Sequence, residues 1–198
     1  MSDYTPKVSI ITPSYNQAQF LEQTIRSVLS QDYPNIEYII IDGGSNDGSQ
    51  AIIERYADQI DYWVSEPDSG QSDAINKGFR KATGEIIAWL NSDDLYLPGA
   101  VSTAVEQFRK NRDLTLFYGD CVFIGERGEF LRYFDECEEF NRFRLLNCSD
   151  FIMQPTTFFR RDAAEAVGFL DESLNWAMDW DLWCKLVVAG GQVHCEPT

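Results

Sequence analysis

Asp93 and Asp94 stand side by side where the apolar run "EIIAWL" ends, in the stretch "WLNSDD" (89–94). Adjacent like charges repel unless water or a cation lies between them, and oxygen-only ligation suits Mg²⁺ or Mn²⁺. The pair is therefore a candidate metal site. It could equally cap the helix that begins near Leu97-Pro98-Gly99. Three other polar stretches follow short apolar runs in the same way: "TPSYN" (12–16), Asp42 ahead of "GGSNDGS", and "SEPDSG" (65–70). Turn residues are expected after any strand, and Asp47 could cap the helix that follows it, so each stretch alone has an ordinary explanation. Asp42 is harder to explain that way.

The elements that must carry these residues alternate. "KVSIITPS" (7–14), "IEYIIID" (36–42), "DYWVS" (61–65) and "EIIAWL" (85–90) are short β-branched or apolar runs, the first closed by Pro13 and the second by Gly43-Gly44. Between the first two, Phe20, Leu21, Thr24, Ile25, Val28 and Leu29 form one stripe of an amphipathic helix. Helices through "SQAIIERYA" and "SDAINKGFRKA" complete a βαβαβαβ series. That alternation predicts an α/β fold with a doubly wound, mostly parallel central sheet and helices on both faces. Ligands of such sheets settle outside the carboxyl ends of the strands, where the four polar stretches fall. Beyond residue 112 the pattern is mixed. Strands are expected at "LTLFYGDCVFIG", "GEFLRYF" and "FIMQPTTFFRR", the last interrupted by Pro155, followed by a helix over Trp176 to Ala189 and a strand over Gln192 to Cys195.

Composition narrows the classes. A chain of 198 residues, 44% hydrophobic and 24% charged, is long enough for a single domain whose core needs no disulfide or metal staple. Cys121, Cys137, Cys148, Cys184 and Cys195 are odd in number and never spaced CxxC, which fits a reducing cytoplasm better than a disulfide scaffold or a thiolate zinc site. A formal charge of −16 opposes nucleic acid and anionic lipid, so a phosphorylated ligand would need a local cation, most directly a metal held by carboxylates. No apolar run approaches the ~20 residues of a membrane span, and "MSDYTPKVSI" lacks the features of a secretory signal. No internal repeat or linker is visible.

Four segments together carry a resemblance. "VSIITPSYNQAQFLEQTIRSVLSQDYPNIEYIIIDGGSNDGS", "DSGQSDAINKG", "GEIIAWLNSDDLYLPGA" and "FLDESLNWAMDWDLWCKL" resemble, in order, the segments of family 2 glycosyltransferases. The resemblance implies a GT-A (Rossmann-like) fold, with residues 1–112 as the nucleotide-sugar half and 113–198 as the acceptor half of one domain. By position, it implies that Pro13, Ser14 and Tyr15 line the nucleotide pocket and that Asp42 contacts the base, typically uracil. Asn76, Ser92 and Asp93 would also border the donor, and Asp93 and Asp94 would hold Mn²⁺ or Mg²⁺ at its diphosphate. Asp179 aligns with the catalytic base of an inverting transfer. Two positions depart from the family: Asn91 stands where the first acid of Asp-x-Asp-Asp is common, and Met178 where the late acid pair usually has Glu. They raise an alternative, a catalytically weak or inactive nucleotide-sugar-binding module.

Helical spacing puts Asp179 on the face of Leu182, Trp183 and Leu186, where an apolar edge would raise its proton affinity, although Asp179 could simply cap that helix. Trp176, Trp180 and Trp183 form a stripe that reads as core before it reads as a sugar platform. His194 has no metal-ligand spacing and Asp171-Glu172 reads as surface. A sugar nucleotidyltransferase would need a glycine-rich basic loop after the first strand, and "TPSYNQAQF" has neither glycine nor base. The partners that the resemblance implies are a nucleotide-sugar donor, UDP-linked as is typical of the family, and a sugar or lipid-linked saccharide acceptor, which would hold a cytoplasmic protein at the inner face of a membrane. Cell-surface polysaccharide or glycoconjugate synthesis is the family-level expectation. The family commonly continues past the segment that matches "GQVHCEPT" (191–198), so the resemblance also implies a shortened chain.

Overall fold

A computed structural model describes residues 4–134, 138–174 and 176–196; Cys137 lies outside them. The predicted alternation is present: β1 (Val8–Ser14), α1 (Ala18–Leu29), β2 (Ile36–Asp42), α2 (Ser49–Arg55), β3 (Tyr62–Ser65), α3 (Gln71–Lys81), β4 (Ile86–Trp89) and α4 (Ala100–Lys110). The second half adds β5 (Leu114–Gly119), β6 (Val122–Ile124), β7 (Phe130–Tyr133), α5 (Arg142–Asn147), β8 (Phe158–Arg160), α6 (Arg161–Ala166), α7 (Met178–Val188) and β9 (Gln192–Glu196). Seven strands form one sheet in the order β3-β2-β1-β4-β8-β5-β9, while β6 and β7 make a separate antiparallel pair.

Strand order reverses between β1 and β4, so the ends of these two parallel neighbours flank the crevice expected at a switch point. Burial on both faces explains the continuous apolar runs. Along β1 and β2, Val8, Ile10, Tyr38 and Ile40 pack beneath α1, α2 and α4. Their neighbours Ile11, Ile39 and Ile41 face the opposite way, toward α3, α6 and α7. The period of two along each strand thus builds two cores from one sheet.

Helix α3 lies close on β1. A Cβ at Gly78 would meet Ile11 Cγ2 and come within 2.8 Å of Ile11 Cγ1. Gly78→Val should therefore destabilise the fold by about 1–3 kcal/mol or more through overpacking. Urea denaturation checks this; an unchanged midpoint would mean the helix can move away freely.

The second half differs from expectation in one instructive place. The stretch from Phe151 to Arg161 does not make one strand, because the chain turns in a 3-10 helix at Gln154–Thr156 and only Phe158–Arg160 pairs. Pro155 has no N–H for a ladder, and the Thr157 hydroxyl closes the turn on the Gln154 carbonyl at 2.7 Å. The short strand β8 then runs antiparallel between β4 and β5, the one reversed strand in the sheet. Its reversal matters: it starts where β4 ends, and so delivers Gln154 to the crevice.

Candidate active site at the sheet switch point

The loop after β4 is held from below by α1. The buried hydroxyl of Thr24 donates to the carbonyls of Ser92 and Asp94, each at 2.9 Å. This fixes two consecutive acids where two spaces adjoin. Asp93 lines a cleft of 770 Å³ with Pro13, Ser14, Tyr15, Gly43, Gly44 and Ser92. Asp94 lines a neighbouring pocket of 550 Å³ with Asp150, Trp176, Met178 and Asp179. Gln71 and Asn91 border both spaces.

The first cleft is built for a polar ligand. Ser14 is only 4% exposed, lines the cleft, and its hydroxyl has no hydrogen-bond partner among the described residues. Such an orphan is rare in a folded protein and points to a missing partner. Asp68 and Asp93 line this cleft, and no Lys, Arg or His does among the described residues. Burial, joined by the charge of Asp93, pushes the Asp94 carboxyl up to about 6, against the Asn91 hydrogen bond. A carboxylate pair this poorly compensated is a donor set that a hard divalent cation would satisfy. Asp93 and Asp94 are the residues present that fit one. No cluster of three or more His, Cys, Asp or Glu placed to hold a metal occurs among the described residues, so substrate oxygens or water would complete the coordination.

Several expected site residues converge and two do not. Pro13, Ser14, Tyr15, Ser92 and Asp93 line the cleft together. Asp42 lies behind it, fully buried: its carboxylate accepts the Ser45 N–H at 2.9 Å, the Ser45 hydroxyl at 2.5 Å and the Ser65 hydroxyl at 2.6 Å. It shapes the Gly43-Gly44 floor rather than lining it. Asn76 is 2% exposed, and its amide is consumed by the Leu170 backbone on both sides and by Glu172 Oε1. The side chain anchors the loop that leads to α7 and does not face the cleft.

Asp179 stands in the first turn of α7, one residue past its start, and Ala177 occupies the cap position with φ of 55°. Its Oδ1 accepts the Trp180 N–H at 2.9 Å, and it lines the second pocket. Asp181 instead pairs with Lys185 at 2.6 Å. The tryptophan stripe divides. Trp183 is buried and stacked on Trp89 at 5.5 Å, Trp180 donates to the Leu145 carbonyl, and Trp176 is 87% exposed at the pocket rim.

The residues that sequence reading missed are Asp150, Gln71, Gln154 and Thr24. Asp150 faces the second pocket, with Oδ1 accepting the Ile152 N–H at 2.9 Å. Burial raises its carboxyl to about 6; the Ile152 N–H opposes this and the nearby Asp179 charge adds to it. Its folded state therefore keeps a proton that the unfolded chain has released, so this acid's contribution to stability declines as pH climbs from 3.8 to about 6 and stays low above that. Asp150→Asn should gain melting temperature relative to the natural chain across that window, by about 2 °C for a domain of this size. Paired thermal melts from pH 4 to pH 7 check this; a difference that does not change with pH would contradict it.

A doubly wound sheet whose switch point carries paired acids beside a nucleotide-sized cleft defines the GT-A class of nucleotide-sugar-binding domains. Comparison with known proteins agrees. The family model for Glycosyl transferase family 2 matches residues 9–168, and the chain belongs to that family. An uncharacterized glycosyltransferase of Rickettsia typhi is 33% identical over 93% of this chain and 59% of its own length. One from Mycobacterium tuberculosis is 43% identical over 51% of this chain and 39% of its own. The chain therefore spans little more than half of the first of these relatives. Among solved structures, S. aureus TarS superposes with a TM-score of 0.78 at 22% identity over 96% of this chain and 35% of TarS. The mannosyltransferase PcManGT from Pyrobaculum calidifontis, solved with GDP-Man and Mn²⁺, gives 0.72 at 21% over 98% of this chain and 56% of its own. At these identities the structural likeness bears on the fold. No helix among the described residues is long and apolar enough to cross a membrane.

Proposed function

We propose that the chain transfers a sugar from a nucleoside diphosphate donor, UDP-linked, to an acceptor hydroxyl with inversion at the anomeric carbon. The observation that carries this reading is the pair of adjoining spaces at the switch point, one lined by Asp93 and the unpartnered Ser14 hydroxyl, the other by Asp179. The donor nucleotide occupies the first, its base over the Gly43-Gly44 floor that Asp42 braces and beside the exposed ring of Tyr15. The acceptor enters the second, where Trp176 offers an aromatic face at the rim. Asp179 takes the proton of the attacking hydroxyl as general base, and the nucleoside diphosphate leaves from the opposite side. No nucleophile of the protein is required. Asp93 and Asp94 would hold Mn²⁺ or Mg²⁺, which when bound offsets charge on the departing diphosphate. One solved structure of TarS contains UDP-GlcNAc and PcManGT was solved with Mn²⁺, which supports a nucleotide-sugar donor and a divalent ion here. The acceptor in this reading is a saccharide, lipid-linked or free, in cell-surface glycoconjugate synthesis on the cytoplasmic side, an extension that rests on the family likeness.

A panel of nucleotide sugars scored by thermal shift with and without Mn²⁺ tests the reading, because a ligand that binds only the folded state raises its melting temperature. At 100 times its dissociation constant a donor contributes ~2.7 kcal/mol, a shift of several degrees. The expected result is a metal-dependent shift with one UDP-sugar above the rest. A panel that leaves the melting temperature unmoved in both conditions contradicts it.

A further inference from the structure

We propose that Asn91, Gln154 and Gln71 form an amide relay that aims the Asp94 carboxylate at the cation, making Asn91 a positioning residue and not a lost ligand. The inference rests on the reading of Asp93 and Asp94 given above. Asn91 Nδ2 donates to Asp94 Oδ2 and to Gln154 Oε1, both at 3.1 Å, while its Oδ1 accepts Gln71 Nε2 at 2.8 Å. Gln154 Nε2 in turn donates to the Trp89 carbonyl at 2.7 Å.

The direction of this chain is dictated at two ends. A backbone carbonyl can only accept, so Gln154 must present its nitrogen to Trp89 and its oxygen to Asn91. An ionised carboxylate can only accept, so Asn91 must present its nitrogen to Asp94. Both ends demand the same orientation of the Asn91 amide. Its two N–H groups are then spent, and Gln71 completes its oxygen. Both polar atoms of the Asn91 side chain and both of the Gln154 side chain then have partners, as the buried middle of a polar network needs.

An acid at position 91 could not do this. An aspartate would set one oxygen against Gln154 Oε1 and Asp94 Oδ2, two acceptor-to-acceptor contacts; turning the Gln154 amide would relieve the first, break its bond to Trp89 and leave the second. With asparagine, Asp94 Oδ2 is tied to the wall and Oδ1 is left for the cation. The relay also joins the start of α3, the loop that follows β4 and the turn ahead of the reversed β8. Gln154 is buried and hydrogen-bonds neither Asp93 nor Asp94; its hydrogen-bonded link to Asp94 runs through Asn91.

The test measures the Mn²⁺ concentration that half-saturates UDP binding, read as loss of the free Mn²⁺ electron paramagnetic resonance signal, in the natural chain, Asn91→Ala, Gln154→Met and the double variant. Each single change should raise it about tenfold, in line with residues that orient metal ligands. The double variant should be no worse than the weaker-binding single variant, and excess Mn²⁺ should restore full UDP binding. Metal-free melting temperatures separate this from misfolding; if Gln154→Met melts below the assay temperature, Gln71→Ala at the exposed end of the relay takes its place with the same expectation. Unchanged half-saturation in the single variants, or losses that multiply in the double, overturns the relay while leaving the functional reading intact. A natural chain that takes up no Mn²⁺ with UDP overturns the functional reading itself.

Discussion

Asp179→Asn lowers sugar transfer about 1,000-fold and leaves UDP affinity within about twofold of the natural chain, the split expected when a general base is lost from a site that still binds. The carboxylate lines the second pocket, with Asp150 and Trp176, and not the cleft lined by Ser14 and Asp93. Its one protein hydrogen bond among the described residues is to the adjacent Trp180 N–H, through Oδ1. Asparagine keeps that bond and the side-chain volume, so the helix start should survive and only the proton acceptor disappear. Steady-state kinetics with the best donor, paired with UDP titration, check both halves. Residual transfer near the natural rate would move the base elsewhere, with Asp150 the first alternative in the same pocket. If the natural chain itself turns over no faster than the variant while binding UDP well, the domain is a binding module.

The second large effect belongs to the acid pair. Asp93→Asn combined with Asp94→Asn should weaken Mn²⁺-dependent UDP binding on the order of 100-fold, at the upper end of what changes around metal ligands cost. The same variant should melt no lower than the natural chain without metal. The reason is the sign of the local field: Asp94 is raised to about 6 by burial and by the charge of Asp93, so the folded state carries a penalty that neutral amides remove. Lost nucleotide binding together with unchanged or higher metal-free stability is a signature that misfolding does not produce. A variant that binds UDP as before would remove the acid pair from the donor site.

Much of this arrangement was legible before any coordinates. The first four strands and the helices between them follow from β-branched runs and from the stripe through Leu21, Ile25 and Val28, because a buried parallel strand and an amphipathic helix leave different periods in the chain. Strand ends mark the stretch 12–16, Asp42 and the Asp93-Asp94 pair, since a doubly wound sheet puts those ends together, while Ser14 itself is singled out by the family resemblance. What stayed hidden depended on long-range pairing. Nothing near Pro155 announces that β8 will run backwards between β4 and β5, so Gln154 gave no sign of reaching Trp89 and Asn91. Asp150 sits in a loop whose composition looks like surface, and only packing against α7 brings it beside Asp179. Asn76 and Asp42 show the converse: both occupy positions that suggest ligand contact, yet local serines and the Leu170 backbone use up their polar atoms. Buried polar residues at strand and helix ends can shape a site without touching what binds in it.

The central claim is that the switch-point cleft takes a nucleoside diphosphate together with a divalent ion held by Asp93 and Asp94. Isothermal titration of UDP into the natural chain, with Mn²⁺ and then with chelator, addresses it most directly. One site per chain, saturable with Mn²⁺ and weakened at least tenfold by chelator, is the predicted result; absence of heat from UDP and the other common nucleoside diphosphates in both conditions would contradict it.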